Sequence, residues 1–487
     1  MSLTLALSNA QSGLRAAQQQ IATTSVNIAN ASTEGFVRKD VSLSSLVLGG
    51  VGSGVVSSQL RSPVDQQLVR DIRFQSALTA GAEVQAEALG RYSFQLGEPG
   101  EERSIPFLIE GLADGFRALF DAPASPSAQR GALNAANALV DGFGALQDTL
   151  NAERLTAEQS ISFAVSEANE RLGRIEDLNR DIRQAVALGE DASDLQDERD
   201  RQLDGLSSLM GIRSFTREDG EMVVLSREGV TLVDGRARQI DFTAVSAMPP
   251  NLVFGAGLSG LSVEGIEITP GGGDPTSIQS GRLAGLFALR DEVFPAFQAQ
   301  LDGLASGVIN SFQNADPSVP AGTPALFTDA GGAHDPAAFA VGLAGRIAVN
   351  SAQVDPAQGG VLSRLRDGVG AIVPGASGDS SQIANFLDGL TGTTSFPPGT
   401  GLPTSQTLLG FAAAMVDQQQ TQRVAKERDA GSSAIVRDTL MNRLVNQTGV
   451  NVDDEAQRLL IIEQAFSANA RIIATVQAMF DELNRIR

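Results

Sequence analysis

The chain has 487 residues, of which 42% are hydrophobic and 19% are charged, and its formal net charge is −21. This length and composition are typical of a folded protein with about two to four domains. The acidic balance argues against nucleic-acid binding, because phosphate contacts need clustered lysine and arginine. The chain contains no cysteine, which excludes disulfides, thiolate metal sites and cysteine nucleophiles.

The first twenty residues, MSLTLALSNAQSGLRAAQQQ, lack a basic segment ahead of a continuous apolar run. We therefore expect no secretory signal. We also find no unbroken run of about 18 apolar residues, so we expect no membrane insertion.

A helix is predicted from about Ser2 to Ala31, because apolar residues recur alternately four and three positions apart. These positions form a heptad seam: Leu3, Leu7, Ala10, Leu14, Ala17, Ile21, Thr24, Ile28 and Ala31. Near Gly35 the period changes. The following FVRKDVSLSSLVLGGVGSGVV is predicted to form extended segments broken by glycine pairs.

Helical patterns then dominate as far as residue 211. They are expected at about 62–95, 104–120, 125–187 and 191–212, and the third of these would be about 90 Å long. Residues 212–268 alternate apolar and polar side chains around Asp219-Gly220 and Asp234-Gly235, which are strong signals for β-hairpins. Helix is predicted again at 281–315. The loop-rich stretch 316–403 contains one short helix near 380–390, and further helices are expected at 405–447 and 453–487.

The last predicted helix carries a second heptad seam. Its members are Leu459, Ile462, Phe466, Asn469, Ile473, Val476, Phe480 and Leu483. Because this apolar face is too broad to be left in water, and neither end of the chain has a local partner, we expect the two terminal helices to pair with each other or with neighbouring copies. A polar residue at a seam position, Asn469, helps fix the register of such a pair.

The expected fold is mainly α with a β-rich insert. Its parts are terminal heptad helices paired as a coiled coil, a long-helix bundle domain and a β-rich outer domain. The corresponding domains are a terminal coiled-coil (tube-wall) domain at 1–60 and 453–487, a helical bundle at 61–211, 281–315 and 376–452, a β-rich insert at 212–280 and a loop-rich outer segment at 316–375.

The stretch NIANASTEGFVRKDV resembles the N-terminal signature of the bacterial flagellar axial proteins, which comprise rod, hook and hook-associated proteins. Three other segments are similar to the hook-associated members. They are DLQDERDRQLDGLSSLMGI, the helix GRLAGLFALRDEVFPAFQAQLDGLASGVINSF, and the C-terminal TGVNVDDEAQRLLIIEQAFSANARIIATVQAMFDELNRIR. The resemblance covers both ends and two internal blocks, about half of the chain.

The resemblance implies a structural subunit of the hook–filament junction, exported unfolded through the flagellar type III apparatus and folding on assembly. Its location would be extracellular, in the flagellum. The implied partners are copies of itself in a ring, the hook protein, the second junction protein FlgL and the export chaperone FlgN. The chaperone would hold the C-terminal seam from Leu459 to Leu483 before export.

The resemblance also implies an assembly interface near the N-terminus. Asn27, Asn30 and Gly35 are suited to ending the first helix and turning the chain, and Phe36 and Arg38 would then meet a neighbouring subunit. The seam positions Leu7, Leu14, Ile21 and Ile28 belong to the same expected interface. The alternative from spacing alone is a routine helix end with Phe36 in its own core.

No catalytic, cofactor or metal site is expected. The single histidine, His334, lacks an accompanying G-x-S-x-G motif. The stretch NVDDE at 451–455 lacks the spaced ligands and glycine of a calcium loop, and acids are favoured at a helix N-terminus.

Two alternative functions stay open. One is another flagellar axial protein, of hook or rod type. The other is an enzyme or glycan-binding module on the β-rich insert, which would need clustered aromatic residues or paired carboxylates; the insert offers Phe215, Phe242 and Phe254.

Overall fold

The computed structural model describes residues 3–33, 36–48, 51–61, 64–98, 100–320, 322–336 and 341–485. Contacts between residues divide the chain into two compact units. The first unit contains Met1–Ala77, Ala168–Gln239 and Ala434–Arg487, and the second contains Leu78–Glu167 and Ile240–Ser433. Three of the unit boundaries fall within long helices, so the chain crosses between units without an irregular linker at those points.

Helices make up most of the described residues. They are α1 (Leu3–Ala29), α2 (Gln66–Leu96), α3 (Ile105–Asp121), α4 (Pro126–Leu188), α5 (Ser193–Leu209), α6 (Arg282–Ala288), α7 (Phe294–Ala315), α8 (Ser351–Val354), α9 (Arg364–Asp367), α10 (Ser381–Thr391), α11 (Leu408–Thr448) and α12 (Val452–Arg485). A π-helical turn, Leu289–Val293, joins α6 to α7. The long helix predicted at 125–187 is confirmed, since α4 has 63 residues.

The strands are short and form several small sheets. They are β1 (Lys39–Leu48), β2 (Val51–Arg61), β3 (Ile212–Thr216), β4 (Met222–Ser226), β5 (Thr231–Asp234), β6 (Arg236–Ala237), β7 (Ile240–Asp241), β8 (Val253–Phe254), β9 (Gly257–Leu258), β10 (Ser262–Val263), β11 (Ile266–Glu267), β12 (Phe327–Asp329), β13 (Ile347–Val349), β14 (Thr393–Ser395) and β15 (Ser405–Thr407). The longest pair is β1–β2, and the largest sheet has the order β3-β4-β5-β6.

The hairpins predicted at the two Asp-Gly pairs are confirmed. Strands β3 and β4 pair antiparallel on either side of Gly220, and β5 and β6 do so around Gly235. Both glycines have positive φ, +85° and +71°, a conformation that glycine adopts without steric cost.

In the first unit, the side chain of Asn179 on α4 replaces a missing backbone partner at the start of β4. Its Nδ2 donates to the carbonyl of Met222, and its Oδ1 accepts from the Met222 N–H. Arg199 of α5 donates to the same Oδ1 and to the Gly220 carbonyl. These buried hydrogen bonds connect α4, α5 and the β3–β4 hairpin.

The second unit has a core rich in phenylalanine. Phe312 of α7 packs on Phe116 of α3, Phe386 of α10 and Phe327 of β12, with ring centroids 4.9 to 5.5 Å apart. All four side chains are buried. Three helices and a strand therefore share one aromatic cluster, in a chain without tryptophan.

A buried charged network ties α4 to the π-helical turn in the same unit. Arg290 donates to Glu158 at 2.6 Å, and both side chains are 0% exposed. Arg154 donates to the carbonyls of Arg290 and Leu252. Burial alone would lower the pKa of Arg290, but its bonds with Asp291 and Glu158 raise that pKa overall. Both charges are compensated, as buried charges must be.

A mainly helical fold with small sheets is therefore confirmed. Residues 212–239 and 240–280 fall in different contact units. The four-domain division, including the loop-rich segment 316–375, stays a prediction.

We expect Arg290→Ala to destabilise the fold by about 3 to 5 kcal/mol, because Glu158 would be left as an unpaired buried charge. Chemical denaturation of the purified protein measures this loss. Arg117→Ala is the control, because Arg117 pairs with Asp114 on an exposed surface of the same unit and should change stability by about 1 kcal/mol or less. Equal effects of the two substitutions would contradict a structural role for the buried network.

Candidate assembly site at the chain termini

Helices α1 and α12 pack against each other within the first unit. They approach closely at Gly13, where an added Cβ would lie 2.9 Å from Nδ2 of Asn469. Glycine thus leaves room for the amide of Asn469 on the facing helix. Asn469, which the heptad spacing predicts at the seam, lies in the contact between the two terminal helices.

The predicted C-terminal seam is the side of α12 that is most covered. Ile462 and Val476 are buried, and five further seam positions are half-buried: Leu459, Phe466, Asn469, Ile473 and Phe480. Leu483 at the end of the helix is exposed. The heptad spacing thus identifies the correct side of the helix, but one chain covers that side incompletely.

The N-terminal helix shows a related pattern. Its buried residues are all small or polar: Ala10, Ala16, Ala17, Thr23, Thr24 and Asn27. The predicted seam positions Leu7, Leu14, Ile21 and Ile28 are half-buried. The larger apolar side chains of α1 therefore retain surface that a second molecule could cover.

Helix α12 also has an uncovered apolar side. Four large apolar residues outside the predicted seam are exposed: Leu460, Ile461, Ile472 and Met479. One 18-residue window within Leu408–Arg485 is long and apolar enough to cross a membrane, and 11% of it is buried. Length and composition do not distinguish a membrane span from a face that a neighbouring chain covers, so the absence of membrane insertion stays a prediction.

Asparagine side chains organise the end of α1. Asn27 is buried, and it donates from Nδ2 to the Lys39 carbonyl at 2.8 Å and accepts at Oδ1 from the Lys39 N–H at 3.0 Å. Asn30 donates from Nδ2 to the Val26 carbonyl at 3.0 Å. Helix α1 ends at Ala29, where the sequence places Asn27 and Asn30 as terminating residues. Asn27 thereby holds the first residue of β1 against the helix.

Arg38 connects this junction to the start of α12. Its Nε donates to Oε1 of Glu455 at 2.7 Å, and its backbone N–H donates to the Thr448 carbonyl at 3.0 Å. Asn27 also donates to Oε2 of Glu455, at 3.3 Å. The Glu455 carboxylate is therefore buried between two donors from the N-terminal segment, and it joins parts of the chain more than four hundred residues apart.

Lys39 connects the same junction to α5. Its side chain is buried, its Nζ pairs with Asp194, and Asp197 lies 3.9 Å away. The ammonium group also lies 5.3 Å from the ring centroid of Phe36, within the range of a cation–π interaction. We call Asn27, Arg38, Lys39, Asp194 and Glu455 the junction clamp.

The structure thus places Arg38 and half-buried Phe36 in contacts within their own chain. Gly35 lies outside the described residues. Sequence reasoning misses Glu455 and Lys39. The one sequence feature that could have identified Glu455 is the run of three acids, but such a run is also expected simply as favourable charge at a helix N-terminus. In the structure Asp453 and Asp454 are exposed and Glu455 is buried.

The N-terminal segment also differs from the rest of the chain in charge. Residues 1–64 contain two acidic residues, Glu34 and Asp40, and four basic ones, Arg15, Arg38, Lys39 and Arg61. The net charge of −21 therefore resides elsewhere. Between copies of an acidic protein, such segments can approach with less electrostatic repulsion.

Metal and catalytic chemistry find little support in the part of the chain that the structure describes. No group of three or more His, Asp or Glu residues there could hold a metal ion. His334 lies 2.8 Å from Oγ of Ser306, but Ser306 is buried in α7. Burial lowers the pKa of His334, while Asp329 and Asp335 act in the opposite direction.

Comparison with known proteins points to one class. The profile of the flagellar hook-associated protein FlgK helical domain matches residues 96–316. The flagella basal body rod protein profile matches 7–36, and the flagellar basal body rod FlgEFG C-terminal profile matches 442–486. Both chain ends and the helical middle are therefore covered by flagellar profiles.

Curated relatives extend over the whole chain. Flagellar hook-associated protein 1 of Bacillus subtilis is 22% identical over 98% of this chain and 97% of its own length. The protein of the same name from Escherichia coli is 23% identical over 99% of both chains. The solved FlgK structure from Burkholderia pseudomallei aligns with 53% of this chain and 46% of its own, with 21% identity and a TM-score of 0.43.

The class of protein that these matches define is the structural proteins of the bacterial flagellum. Within that class, the chain is similar to the hook-associated protein FlgK: the helical-domain profile matches its middle, and the relatives named flagellar hook-associated protein 1 align with nearly its whole length.

We expect Glu455→Gln to loosen the clamp by about 2 kcal/mol, because Arg38 loses its charged acceptor. Hydrogen exchange at the start of α12 and at the end of α1 measures the effect. Asp453→Asn is the matched control, since it removes a charge from the same helical turn without a buried partner and should cost less than about 1 kcal/mol. Unchanged protection in Glu455→Gln would show that the clamp does not hold the two ends.

We expect the single histidine to make stability fall as the pH drops. The pKa of folded His334 is lowered, so the unfolded chain takes up the proton first, and stability is lost as the pH falls below about 6.5. Denaturation of wild type and His334→Gln between pH values of about 7.5 and about 5.5 isolates this effect from carboxylate titration. Identical pH profiles would contradict it.

Proposed function

We propose that this protein is a subunit of the hook–filament junction, and that its terminal helices complete their packing only when neighbouring subunits are present. The observation that carries this proposal is the incomplete coverage of α12. Among its described residues, Glu455, Ile462 and Val476 are buried, although the apolar face is much wider. Such a surface is favourable in an assembly and unfavourable in a monomer.

The physical basis is a balance between burial and ordering. Covering apolar surface contributes about 25 cal/mol per Å², while ordering each residue costs about 1 to 2 kcal/mol of backbone entropy. A terminal helix with three buried side chains gains little in an isolated chain. Coverage of its second side by another copy shifts the balance towards the ordered form.

In the assembled form, α1 and α12 pair as a coiled coil in the wall of a tube. The close approach at Gly13 and Asn469 supports this arrangement, because a polar residue at a seam position fixes register. The half-buried residues Leu7, Leu14, Ile21 and Ile28 then face neighbouring subunits. Phe36 belongs to the same surface, and Arg38 holds the neighbouring backbone in place through its ion pair with Glu455.

The partners we propose are further copies in a ring, the hook protein on one side and FlgL on the other. Before export, FlgN would hold the C-terminal seam from Leu459 to Leu483, which keeps its apolar side from aggregating. Export of an unfolded chain would place the protein outside the cell, in the flagellum. The weak intrinsic packing of both ends and the absence of cysteine are compatible with this route.

A hook or rod protein is the second candidate. It is less favoured because the FlgK helical-domain profile matches residues 96–316. An enzyme or glycan-binding module is less favoured again: Phe242 packs on Phe287 with ring centroids 6.1 Å apart, which is a structural contact.

We expect deletion of residues 465–487 to leave a soluble, folded protein that cannot join the assembly. Cells lacking their own junction protein provide the assay, with swimming and attached filaments as the readout. The matched control is Phe163→Ser, which removes an exposed apolar residue of α4 and should assemble normally. Incorporation of the truncated chain at wild-type levels would contradict the proposed role of α12.

Limited proteolysis of the purified monomer tests whether the terminal helices are weakly ordered in a single copy. We expect rapid trimming at both ends and a resistant middle. Ends that resist protease as well as the middle would show that a single copy already satisfies its terminal helices.

A further inference from the structure

The β1–β2 hairpin exposes a stretch of the chain that carries no charge. Residues 41–60 contain no charged side chain, although 19% of the whole chain is charged. Edge strands in soluble proteins usually carry charges or proline that discourage pairing with other molecules. Between residues 41 and 60 neither is present, although the register shift between Ser45 and Val47 makes the hairpin irregular. This composition is expected of a surface that is covered in use.

Both strands of the hairpin contact α1. Strand β1 is held at its first residue, where Asn27 bonds the Lys39 backbone, and strand β2 is held farther along. The Val55 N–H of β2 donates to Oγ of Ser12 at 3.1 Å, and Oγ of Ser57 donates to Gln19. Gly54 permits this approach, because a Cβ there would collide with the Ser12 hydroxyl. Strand β2 is thereby anchored to the helix.

Beyond buried Val41, strand β1 is open. Every residue from Ser42 to Val47 is exposed, including Leu43 and Val47, and Val47 is 57% exposed. The hairpin therefore presents apolar and hydroxyl side chains to solvent along an anchored element.

A cleft of about 330 Å³ lies between α1, the base of β1 and α12. Its apolar lining includes Val41, Ile461, Ile462 and Ala465, and its polar lining includes Thr23 and Thr24. Ile461 remains 67% exposed. Since a dry cavity of about 150 Å³ accepts a benzene-sized group, this cleft has room for about two aliphatic side chains.

The charged side chains that line the cleft, Lys39, Asp40 and Arg458, are all paired. Arg458 donates to Asp40 at 3.1 Å, and Lys39 pairs with Asp194. An uncharged, apolar segment can thus enter without leaving an unpaired charge.

We propose that the β1–β2 hairpin of one copy, through Leu43 and Val47, docks in the α1–β1–α12 cleft of a second copy of this chain. The proposal rests on the proposed function and names the contact that one subunit makes with the next. Valine, leucine and serine on the hairpin match the mixed apolar and hydroxyl lining of the cleft.

The hairpin cannot fill the cleft of its own chain. Val41 lines that cleft, and Val47 lies farther along the same strand, at a distance of about 20 Å by the rise of a strand. A hairpin that occupies this cleft must therefore come from another molecule. A second copy carries such a segment without charge, with exposed Leu43 and Val47.

The geometry of such a contact suits an extended assembly. The hairpin and the cleft are different surfaces, so each copy has one of each to offer. Contacts of this head-to-tail kind generate rings or helices rather than closed pairs.

Cysteine cross-linking tests the contact directly, because the chain has no cysteine of its own. We expect the double variant Val47→Cys/Ile461→Cys, incorporated in flagella and mildly oxidised, to give a ladder of disulfide-linked multimers. A mixture of the two single variants should give dimers only. Val47→Cys mixed with Phe163→Cys is the matched control, and it should give no cross-link because Phe163 is exposed and is not among the residues that line the cleft.

A charge exchange provides a second test. Val47→Glu should lower incorporation about tenfold or more, because its carboxylate would lose water in a cleft whose cations, Lys39 and Arg458, already pair with acids. Adding Ile461→Lys to the same chain should restore incorporation, since the introduced carboxylate of each copy would then meet the introduced ammonium group of its neighbour. Far-UV circular dichroism of the purified variants checks that these exposed substitutions leave the fold unchanged.

Three outcomes would overturn the docking proposal. They are disulfide dimers of Val47→Cys alone, an absence of multimers from the double variant, or normal assembly of Val47→Glu. If wild-type chain still restores filaments in these cases, the hook–filament function stands and only the hairpin contact falls. If wild-type chain does not restore filaments, the proposed function itself falls.

Discussion

The packing of α1 against α12 is the constraint on which the terminal unit depends. These helices lie at opposite ends of the chain, so their contact closes a loop of more than four hundred residues. Loop-closure entropy rises only slowly with length, but the contact that offsets it is small, because α12 buries few side chains. The paired terminal helices are therefore the part of the first unit whose order responds most to a neighbouring surface.

The junction clamp fixes the register of this weak apolar contact between α1 and α12. Apolar side chains along two helices can slide by a heptad at low cost, whereas Glu455 meets Arg38 and Asn27 in one register only. Asn469 opposite Gly13 selects the same register from another point along the helices. Buried polar groups are weak sources of stability but good sources of specificity in helical pairs. The clamp fixes where the helices meet, and apolar burial supplies the energy.

The sequence predicts local structure well where the physical signal is local. The heptad spacing identifies the covered side of α12 from Leu459 to Phe480, and the two Asp-Gly pairs locate hairpins because their backbone conformations need glycine. The burial of Glu455 is not predictable in this way, since an acid at a helix N-terminus is normally solvated. Its environment depends on Arg38, which lies 417 positions away. The same limit applies to Arg290 and Glu158, whose burial follows from the packing of α4 against the π-helical turn.

The distribution of charge along the chain explains how an acidic protein can assemble with itself. Two copies carrying a charge of −21 repel each other, and at physiological ionic strength that repulsion is screened beyond about 8 Å. Contact is therefore decided by the charges that actually meet. The first 64 residues carry more basic than acidic side chains, and the hairpin within them carries no charge between residues 41 and 60. Repulsion between acidic surfaces disfavours other modes of association, so the distribution of charge favours contacts made by the N-terminal segment.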